Sequence, residues 1–267
     1  GKAVCQRLRL LVVLAMALGS STGLASRANV CATVAAMKNA RTTKPDKKKL
    51  DAAPPPKVPL LPYGDDTGAA LLERSEALFL AAAVSGEPDS ELLSALASLA
   101  ELKAPVAALS TLCDALSQDV PATQARYAAL FGGGPGLISL LESDYGRRRG
   151  VREGRIRADL SGFYLALGLA LEGDDSDAVL DHLATELEFY ATLLTEQARL
   201  DQDGDEEGAT IVRDARRSFL REHLGPFARD IAAQPAVVAD PVYGPALAWT
   251  AAQVTAEAAS LGVNDLR

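Results

Sequence analysis

The stretch from Leu180 to Leu194 constrains the fold of this chain more than any other part of the sequence. At the spacing of an α-helix, its apolar residues form one continuous stripe: Leu180, Leu183, Ala184, Leu187, Tyr190, Ala191 and Leu194. Asp177, Asp181 and Glu188 stay off this stripe. A second, mixed stripe lies beside it, because these spacings share one helical face: His182, Glu186, Phe189 and Leu193. The pattern predicts a helix with a core face and a flank that carries a carboxylate–imidazole pair beside an aromatic ring.

The composition favours helices in the rest of the chain as well. Of the 267 residues, 48% are hydrophobic but only 5% are aromatic, and alanine and leucine are abundant, which favours α-helices over a β-sandwich. No segment has a convincing strand pattern. The length allows one large domain or two small ones.

Capping residues, apolar spacing and helix breakers predict where the other helices lie. We predict helices from the capping residues 65–67 to about residue 84, then over about 90–99, 105–116, 121–131, 155–171, 211–227 and 243–261. Cys113 falls on a leucine-lined stripe and is expected to be a small core residue. We expect the glycine-rich residues 132–136 to cap the preceding helix and form a mobile loop, and the acidic residues 201–207 to link two helices.

Charge is distributed unevenly along the chain. Residues 1–58 contain 11 Lys and Arg against 2 Asp and Glu, a net charge of +9, whereas residues 59–267 contain 16 against 33, a net charge of −17. An acidic body repels phosphates, so nucleic acid is excluded as a partner. The same charge would attract a basic peptide.

The first 62 residues differ in character from the rest. Residues 1–28 are typical of a secretory signal, because Lys2, Arg7 and Arg9 precede a short apolar run and then small residues. The alternative is a stretch foreign to the native chain, which here begins with glycine rather than methionine. Residues 38–62 are rich in lysine and proline, which favours a solvated spacer, and we expect disorder up to about Pro62.

The few cysteines and histidines exclude several kinds of site. The chain has three cysteines without a CxxC pair, and only one, Cys113, lies in the body, so no disulfide framework can form there. Two histidines, His182 and His223, are too few for a histidine-rich metal site. The acidic residues 201–207 do not match a calcium loop, because the glycine stands at position 4 and Val212 at position 12. We therefore expect no metal site and no cofactor.

Catalytic motifs are also missing from the sequence. No GxSxG occurs, and the glycine run at 132–136 is not followed by the Lys-Ser/Thr of a phosphate-binding loop. His182 and Glu186 have three interpretations: an acid–base pair, a surface i,i+4 pair worth a few tenths of a kcal/mol, or part of a recognition site. In the third, which we favour, Asp181 receives cationic side chains and His182 forms a hydrogen bond at the edge of a groove.

The only basic cluster in the body comprises Arg147, Arg148, Arg149, Arg152, Arg155 and Arg157. Such a cluster indicates either a solvated loop or a patch that docks an acidic partner surface. The solvated loop is the simpler interpretation.

Four segments together resemble the TorD/DmsD family of molybdoenzyme maturation chaperones. The strongest is Asp181–Phe189, which reads Asp-His-Leu-x-x-Glu-Leu-Glu-Phe. The others, in chain order, are Tyr127-x-x-Leu130-Phe131 followed by Gly-Pro, Glu142-Ser143-x-Tyr145, and Phe219-Leu220-x-x-His223-Leu224-x-Pro226-Phe227. The resemblance covers about residues 68–262. Leu140 and Leu141 stand where the family often has prolines, and Phe227 replaces the usual tryptophan.

The resemblance implies a fold and a function. It implies an all-α, single-domain bundle of about 8–10 helices over residues 63–267, with residues 1–62 outside the family pattern. It also implies a cytoplasmic chaperone, not an enzyme, that binds the twin-arginine leader or the apoprotein of a molybdopterin oxidoreductase and delays export until the cofactor is inserted. It implies that these residues bind the leader: Tyr127, Leu130, Phe131, Asp181 and His182. We add four neighbouring signature residues to the predicted site: Glu142, Ser143, Tyr145 and Glu186.

Two other functions stay open on the sequence alone. Residues 1–28 favour a secreted, acidic helical protein, which conflicts with a cytoplasmic chaperone. His182, Glu186 and the glycine loop would suit a hydrolytic or nucleotide-binding helical protein. Long helices joined by a mobile loop would also permit a domain-swapped homodimer.

Overall fold

The computed structural model describes residues 66–90, 92–94, 96, 107–132, 134, 137–145, 153–167 and 180–263. The signal-like residues 1–28, the spacer 38–62 and most of the arginine cluster lie outside the described residues.

The described residues confirm the all-α prediction. They contain nine bounded α-helices: α1 (Gly68–Ser85), α2 (Ser110–Gln118), α3 (Val120–Phe131), α4 (Glu153–Ala166), α5 (Leu183–Asp203), α6 (Glu206–Phe219), α7 (Gly225–Ala232), α8 (Pro235–Ala239) and α9 (Tyr243–Ser260). Residues 90, 92–94 and 96 are helical as well, in the second predicted helix. Short 3₁₀ turns cover Ala107–Leu109, just before α2, and Glu142–Asp144. None of the described helices is long and apolar enough to cross a membrane.

Side-chain caps fix where several helices begin. The Thr67 hydroxyl accepts a hydrogen bond from the first turn of α1, as the sequence predicts, and Asp119 and Asp205 cap α3 and α6 in the same way. Gly204 ends α5 in the left-handed conformation, with φ of 70°. A residue without a side chain adopts this conformation at little cost, so α5 and α6 can be joined by a tight turn.

Helix α5 forms the centre of the bundle. Its contacts with α1 are the most extensive in the described structure, and α6 packs against it as well. The predicted core stripe is confirmed, since Leu187, Tyr190 and Leu194 are fully buried. Glu188 is wrongly predicted to stay off the core, because α5 is surrounded by other helices and this side chain is only 4% exposed.

The helix of the opening stretch begins later than predicted. Leu183 is its first residue, and His182 is the N-cap with extended backbone angles. Asp181 and His182 therefore do not lie on the flank of α5. The reason is a long-range contact: His182 forms an isolated antiparallel β-bridge with Leu141, which draws the preceding chain away from the helical path.

A widened turn separates α6 from α7. Residues Leu220–Leu224 form a π-helical turn in which the Gly225 N–H bonds back to the Leu220 carbonyl. Pro226 follows and has no N–H to donate, which removes one α-helical bond and favours the wider turn. The turn places His223 in the interior, where it is 3% exposed.

A buried network of charges joins four helices. Glu257 on α9 accepts from Arg216 on α6 and from the Tyr190 hydroxyl on α5, both at 3.0 Å. Its second oxygen lies 2.9 Å from Nε of Arg74 on α1. These four side chains are at most 2% exposed. The sequence carries no signal for this network, because its members lie on four helices that are far apart along the chain.

Candidate functional site

The segment Leu137–Tyr145 connects two of the signature segments. At one end, Ile138 donates to the carbonyl of Leu130 at the end of α3, at 2.9 Å. Further along, Glu142 donates to the Asp181 carbonyl at 2.8 Å, and Leu183 donates to the Leu140 carbonyl. Backbone bonds therefore hold this segment between the end of α3 and the start of α5.

Asp181 is buried beneath this segment. Its side chain has no exposed surface, and its Oδ2 accepts the backbone N–H of Ser143 at 3.1 Å. Its Oδ1 lies 3.4 Å from Nε of Arg157 on α4, without an aligned hydrogen bond. The expectation that Asp181 stands open at the edge of a groove is therefore wrong for this structure, since the chain's own Ser143 and Arg157 contact the carboxylate.

His182 acts as the N-cap of α5. Its Nδ1 accepts the N–H of Ala184 at 3.1 Å. Burial lowers the pKa of His182 to about 4, and the neighbouring Asp181 carboxylate opposes part of that effect. The imidazole is therefore neutral near pH 7, with Nδ1 as the acceptor. His182 and Glu186 are not an i,i+4 pair on one helical flank, because His182 precedes the helix.

Two carboxyl groups and a histidine meet next to Asp181. His223 Nδ1 lies 2.9 Å from Glu142 Oε2, and both side chains are buried. Glu186 is fully buried, and no N–H or O–H donor from the described residues reaches either of its oxygens. Burial raises the pKa of Glu186 well above its usual range, and the charges of Glu142 and Asp181 raise it further. These effects favour the neutral, protonated form of Glu186.

Aromatic rings enclose this carboxyl cluster. The Tyr164 hydroxyl donates to the Leu180 carbonyl at 2.9 Å, and burial raises the pKa of this phenol well above its usual range. Phe163 packs edge-on against His223 with ring centroids 5.7 Å apart, and Phe189 packs against Tyr164 at 4.6 Å. These rings keep water away from the cluster, which strengthens its electrostatic interactions.

A second group, the aromatic triad Tyr127, Phe131 and Tyr243, lies at the end of α3. Its ring centroids are 5.0–5.7 Å apart. Tyr127 and Phe131 are half-buried, and so is Leu130. The Tyr127 hydroxyl donates to the Ser85 carbonyl, whereas the buried Tyr243 hydroxyl has no hydrogen-bond partner in the described structure.

Tyr145 holds the other end of the segment. Its hydroxyl donates to the Ser139 carbonyl at 2.7 Å, and its ring packs 5.4 Å from the ring of Phe227 on α7. Burial, assisted by Asp144 and Asp230, raises the pKa of Tyr145 to about 12. Tyr145 thus links the segment to the start of α7, where the last signature motif ends.

The structure sorts the predicted site residues into two groups. One group lies in and around the carboxyl cluster: Glu142, Ser143, Asp181, His182 and Glu186. The other lies at the end of α3: Tyr127, Leu130 and Phe131. The ninth residue, Tyr145, belongs to neither group and packs against Phe227 at the end of the segment. The Leu137–Tyr145 segment joins the two groups, because Ile138 bonds to the end of α3 and Glu142 bonds to Asp181. The Cα atoms of Ile138 and Glu142 are at most about 14 Å apart, since a chain spans at most about 3.6 Å per residue.

Three residues that contact the predicted site residues were missing from the prediction. His223 pairs with Glu142, Arg157 with Asp181, and Tyr243 completes the aromatic triad. His223 could have been found, because it belongs to the fourth signature segment. Arg157 was noted only as part of the basic cluster, with nothing to indicate its contact with Asp181, and Tyr243 carries no local signal.

Two side chains that the sequence singled out for their chemistry are engaged within the fold. His182 uses Nδ1 in the helix cap, and Cys113 packs half-buried against the core on α2. Within the described ranges, no three His, Cys, Asp or Glu residues form a group that could hold a metal ion.

Comparisons with known proteins agree with the four segments. The family model described as nitrate reductase delta subunit matches residues 99–233, a range that contains all four. The chain is similar to a selenate reductase assembly chaperone protein from Thauera selenatis, at 36% identity over 46% of this chain and 64% of that protein. It is also similar to a chlorate reductase assembly chaperone protein from Ideonella dechloratans, at 37% identity over 40% of this chain and 54% of that protein.

The matches span between 54% and 64% of the length of these curated relatives. No solved structure matches the chain with significance. The family model covers half of the chain, and the residues it covers include the segment, the carboxyl cluster and the end of α3. The chain belongs to the nitrate reductase delta subunit family, among the TorD-like chaperones of molybdoenzyme maturation.

Proposed function

We propose that this chain is a cytoplasmic chaperone that binds the twin-arginine leader of a molybdopterin oxidoreductase, or its apoprotein. By holding the client, it would assist cofactor insertion and delay export until the client is mature. No turnover is required of such a protein. The two relatives, which are named as assembly chaperones of a selenate and a chlorate reductase, support this class of function.

The observation that carries the proposal is the convergence of the signature segments. They are spread over residues 127–227, yet backbone bonds from Ile138, Glu142 and Leu183 bring them to the Leu137–Tyr145 segment. A carboxyl cluster then lies beside this segment, and a half-exposed aromatic group lies at its start. The convergence of a buried polar cluster and a half-exposed aromatic group on one segment supports recognition of a peptide with both characters.

The charge and apolar surface of the body match a twin-arginine leader. Such a leader is basic and then apolar. Residues 59–267 carry a net charge of −17, which favours the approach of a basic peptide. Phe131 is half-buried and Leu137 is 39% exposed, so both have apolar surface that an apolar run could cover.

Calorimetric titration of the full chain with twin-arginine leader peptides tests the proposal. We expect saturable binding that a twin-lysine peptide weakens, because an ammonium lacks the planar donor fork of a guanidinium. Phe131→Ala should weaken binding about tenfold, which corresponds to about 1.4 kcal/mol. Leu72→Ala is the matched control, since Leu72 is 44% exposed on α1 and is not among the predicted site residues. Its affinity should stay within about twofold of the wild type.

Two outcomes would count against the proposal. The first is the absence of binding to any leader peptide. The second is equal binding of the twin-arginine and twin-lysine peptides with equal effects of Phe131→Ala and Leu72→Ala, which would indicate attraction by net charge alone.

A further inference from the structure

The carboxylate of Asp181 is only partly satisfied within the chain. Its Oδ2 accepts the Ser143 N–H, but no hydrogen-bond donor of the described residues is aligned with Oδ1. The Arg157 guanidinium lies over this oxygen, with Nε at 3.4 Å, in a charge contact without a hydrogen bond. A fully buried carboxylate oxygen without an aligned donor is costly, and a better-placed guanidinium would stabilise it.

We infer that Arg157 is an internal placeholder, which an arginine of the bound peptide displaces to donate directly to Oδ1 of Asp181. This inference rests on the proposed function and adds a regulatory contact to the same site. In the unliganded chain, Arg157 keeps the buried charge of Asp181 paired. When the leader binds, one guanidinium replaces another, and the carboxylate stays paired throughout.

The exposure of the two partners makes Arg157 the one that moves. Its side chain is 28% exposed, whereas Asp181 has no exposed surface. The Arg157 side chain therefore already reaches solvent, while Asp181 is held by the Ser143 N–H and by the Glu142 N–H, which donates to its carbonyl. Because one guanidinium replaces another, the Asp181 carboxylate is never left as a buried charge without a partner, and that cost is avoided.

The surroundings of Asp181 favour a cation and, in particular, an arginine. Glu142 and Asp181 lie close enough to Glu186 for their negative charges to raise its pKa, and His182 is neutral near pH 7. No other cation is recorded on the Asp181 carboxylate in the described structure. A planar guanidinium can approach a single buried oxygen through one N–H while its other N–H groups reach neighbouring acceptors.

The placeholder sets the affinity for the peptide by competition. The site binds a leader only when Arg157 has moved away, so the apparent dissociation constant is the intrinsic constant divided by the fraction of time that Arg157 is away. Removing the guanidinium removes this competition. It also leaves Asp181 without its cation, so the unliganded chain should become less stable, and the peptide should restore more of its stability than in the wild type.

Titration of the full chain with a twin-arginine leader peptide tests the placeholder. We expect Arg157→Gln to bind the peptide about threefold to tenfold more tightly than the wild type. Arg155→Gln is the matched control, because Arg155 is an exposed arginine on the same helix, and its affinity should stay within about twofold. The rise in melting temperature on adding peptide should be larger for Arg157→Gln than for the other two proteins.

Equal or weaker binding by Arg157→Gln would overturn the placeholder while leaving the proposed function intact. If no protein in the set binds the peptide, the proposed function fails and the placeholder fails with it. If Arg157→Gln does not fold, Arg157→Lys serves instead. It keeps the charge but loses the guanidinium, so binding tighter than the wild type supports the inference, and binding that is unchanged or weaker opposes it.

Discussion

Removing the charge of Glu257 should strongly destabilise the helix bundle. This carboxylate has no exposed surface, and it contacts Arg216 at 3.0 Å and Arg74 at 2.9 Å. Glu257→Gln changes neither the size nor the shape of the side chain. It leaves Arg216 fully buried without a counter-ion among the described residues, and it removes one of the charge contacts of Arg74, which also pairs with Asp66 at 3.0 Å.

The expected cost follows from this burial. Breaking a buried ion pair by removing one partner costs about 3–5 kcal/mol, because the remaining charge stays in the interior. The stability of a whole domain is only about 5–15 kcal/mol, so the loss would be a large fraction of it. For a domain of this size, about 3 kcal/mol lowers the melting temperature by about 6–12 °C.

Urea unfolding of the full chain measures this cost, with Glu196→Gln as the matched control. Glu196 pairs with Arg199 at 2.7 Å on the surface of α5, where Arg199 is 46% exposed. An exposed pair is worth about 0–1 kcal/mol, so this variant should unfold nearly as the wild type does. A cost below about 1 kcal/mol for Glu257→Gln, or equal costs for both variants, would refute the claim that the buried network holds α1, α5, α6 and α9 together.

Three further substitutions should have distinct effects in urea unfolding. His182→Asn keeps a capping acceptor but removes a group whose pKa burial lowers from 6.5 to about 4. Between these pH values the unfolded wild-type chain binds a proton on His182 that the folded chain does not bind. As the pH falls from about 6.5 to about 4, the free energy of unfolding of the wild type should therefore fall by up to about 3 kcal/mol relative to the variant. Parallel pH profiles of the two proteins would contradict this. Tyr243→Phe removes a buried hydroxyl without a hydrogen-bond partner and should leave the free energy of unfolding unchanged or raise it by up to about 1 kcal/mol, and a loss above about 1 kcal/mol would reveal a partner. Gly204→Ala forces a side chain into the left-handed region at φ of 70° and should cost about 1–2 kcal/mol, whereas Gly154→Ala, at an open position on α4, should not destabilise the chain.

The parts of the fold that depend on local pattern could be predicted from the sequence. The stripe through Leu187 and Tyr190 is buried as predicted, because a helix places residues three and four apart on one face whatever it packs against. Thr67 caps α1 as predicted, since its hydroxyl needs only the N–H groups of the next turn.

The parts of the fold that depend on long-range contacts could not be predicted from the sequence. The bridge between Leu141 and His182 decides where α5 begins, and nothing in the stretch around His182 encodes its distant partner. The same holds for Glu257 and Arg74, which lie at opposite ends of the described chain and each look like an ordinary surface charge in a helical pattern. Local periodicity therefore predicted the helices but not the polar contacts that hold them in register.

The candidate site shows the same division. The signature segments identified Asp181, Glu142 and Phe131 by resemblance, but the resemblance does not say which of them are exposed. Asp181 and Glu142 are buried, because the 137–145 segment and α5 close over them, and Phe131 keeps some exposed surface.

Hydrogen–deuterium exchange of the full chain, with and without a saturating twin-arginine leader peptide, tests most directly where the leader binds. We predict slower exchange in residues 127–131, 137–145 and 180–187, where the aromatic triad, the segment and the start of α5 meet. The second half of α9, residues 252–260, should exchange at the same rate in both samples. A peptide that binds while residues 127–145 and 180–187 exchange unchanged would contradict the proposed leader-binding site.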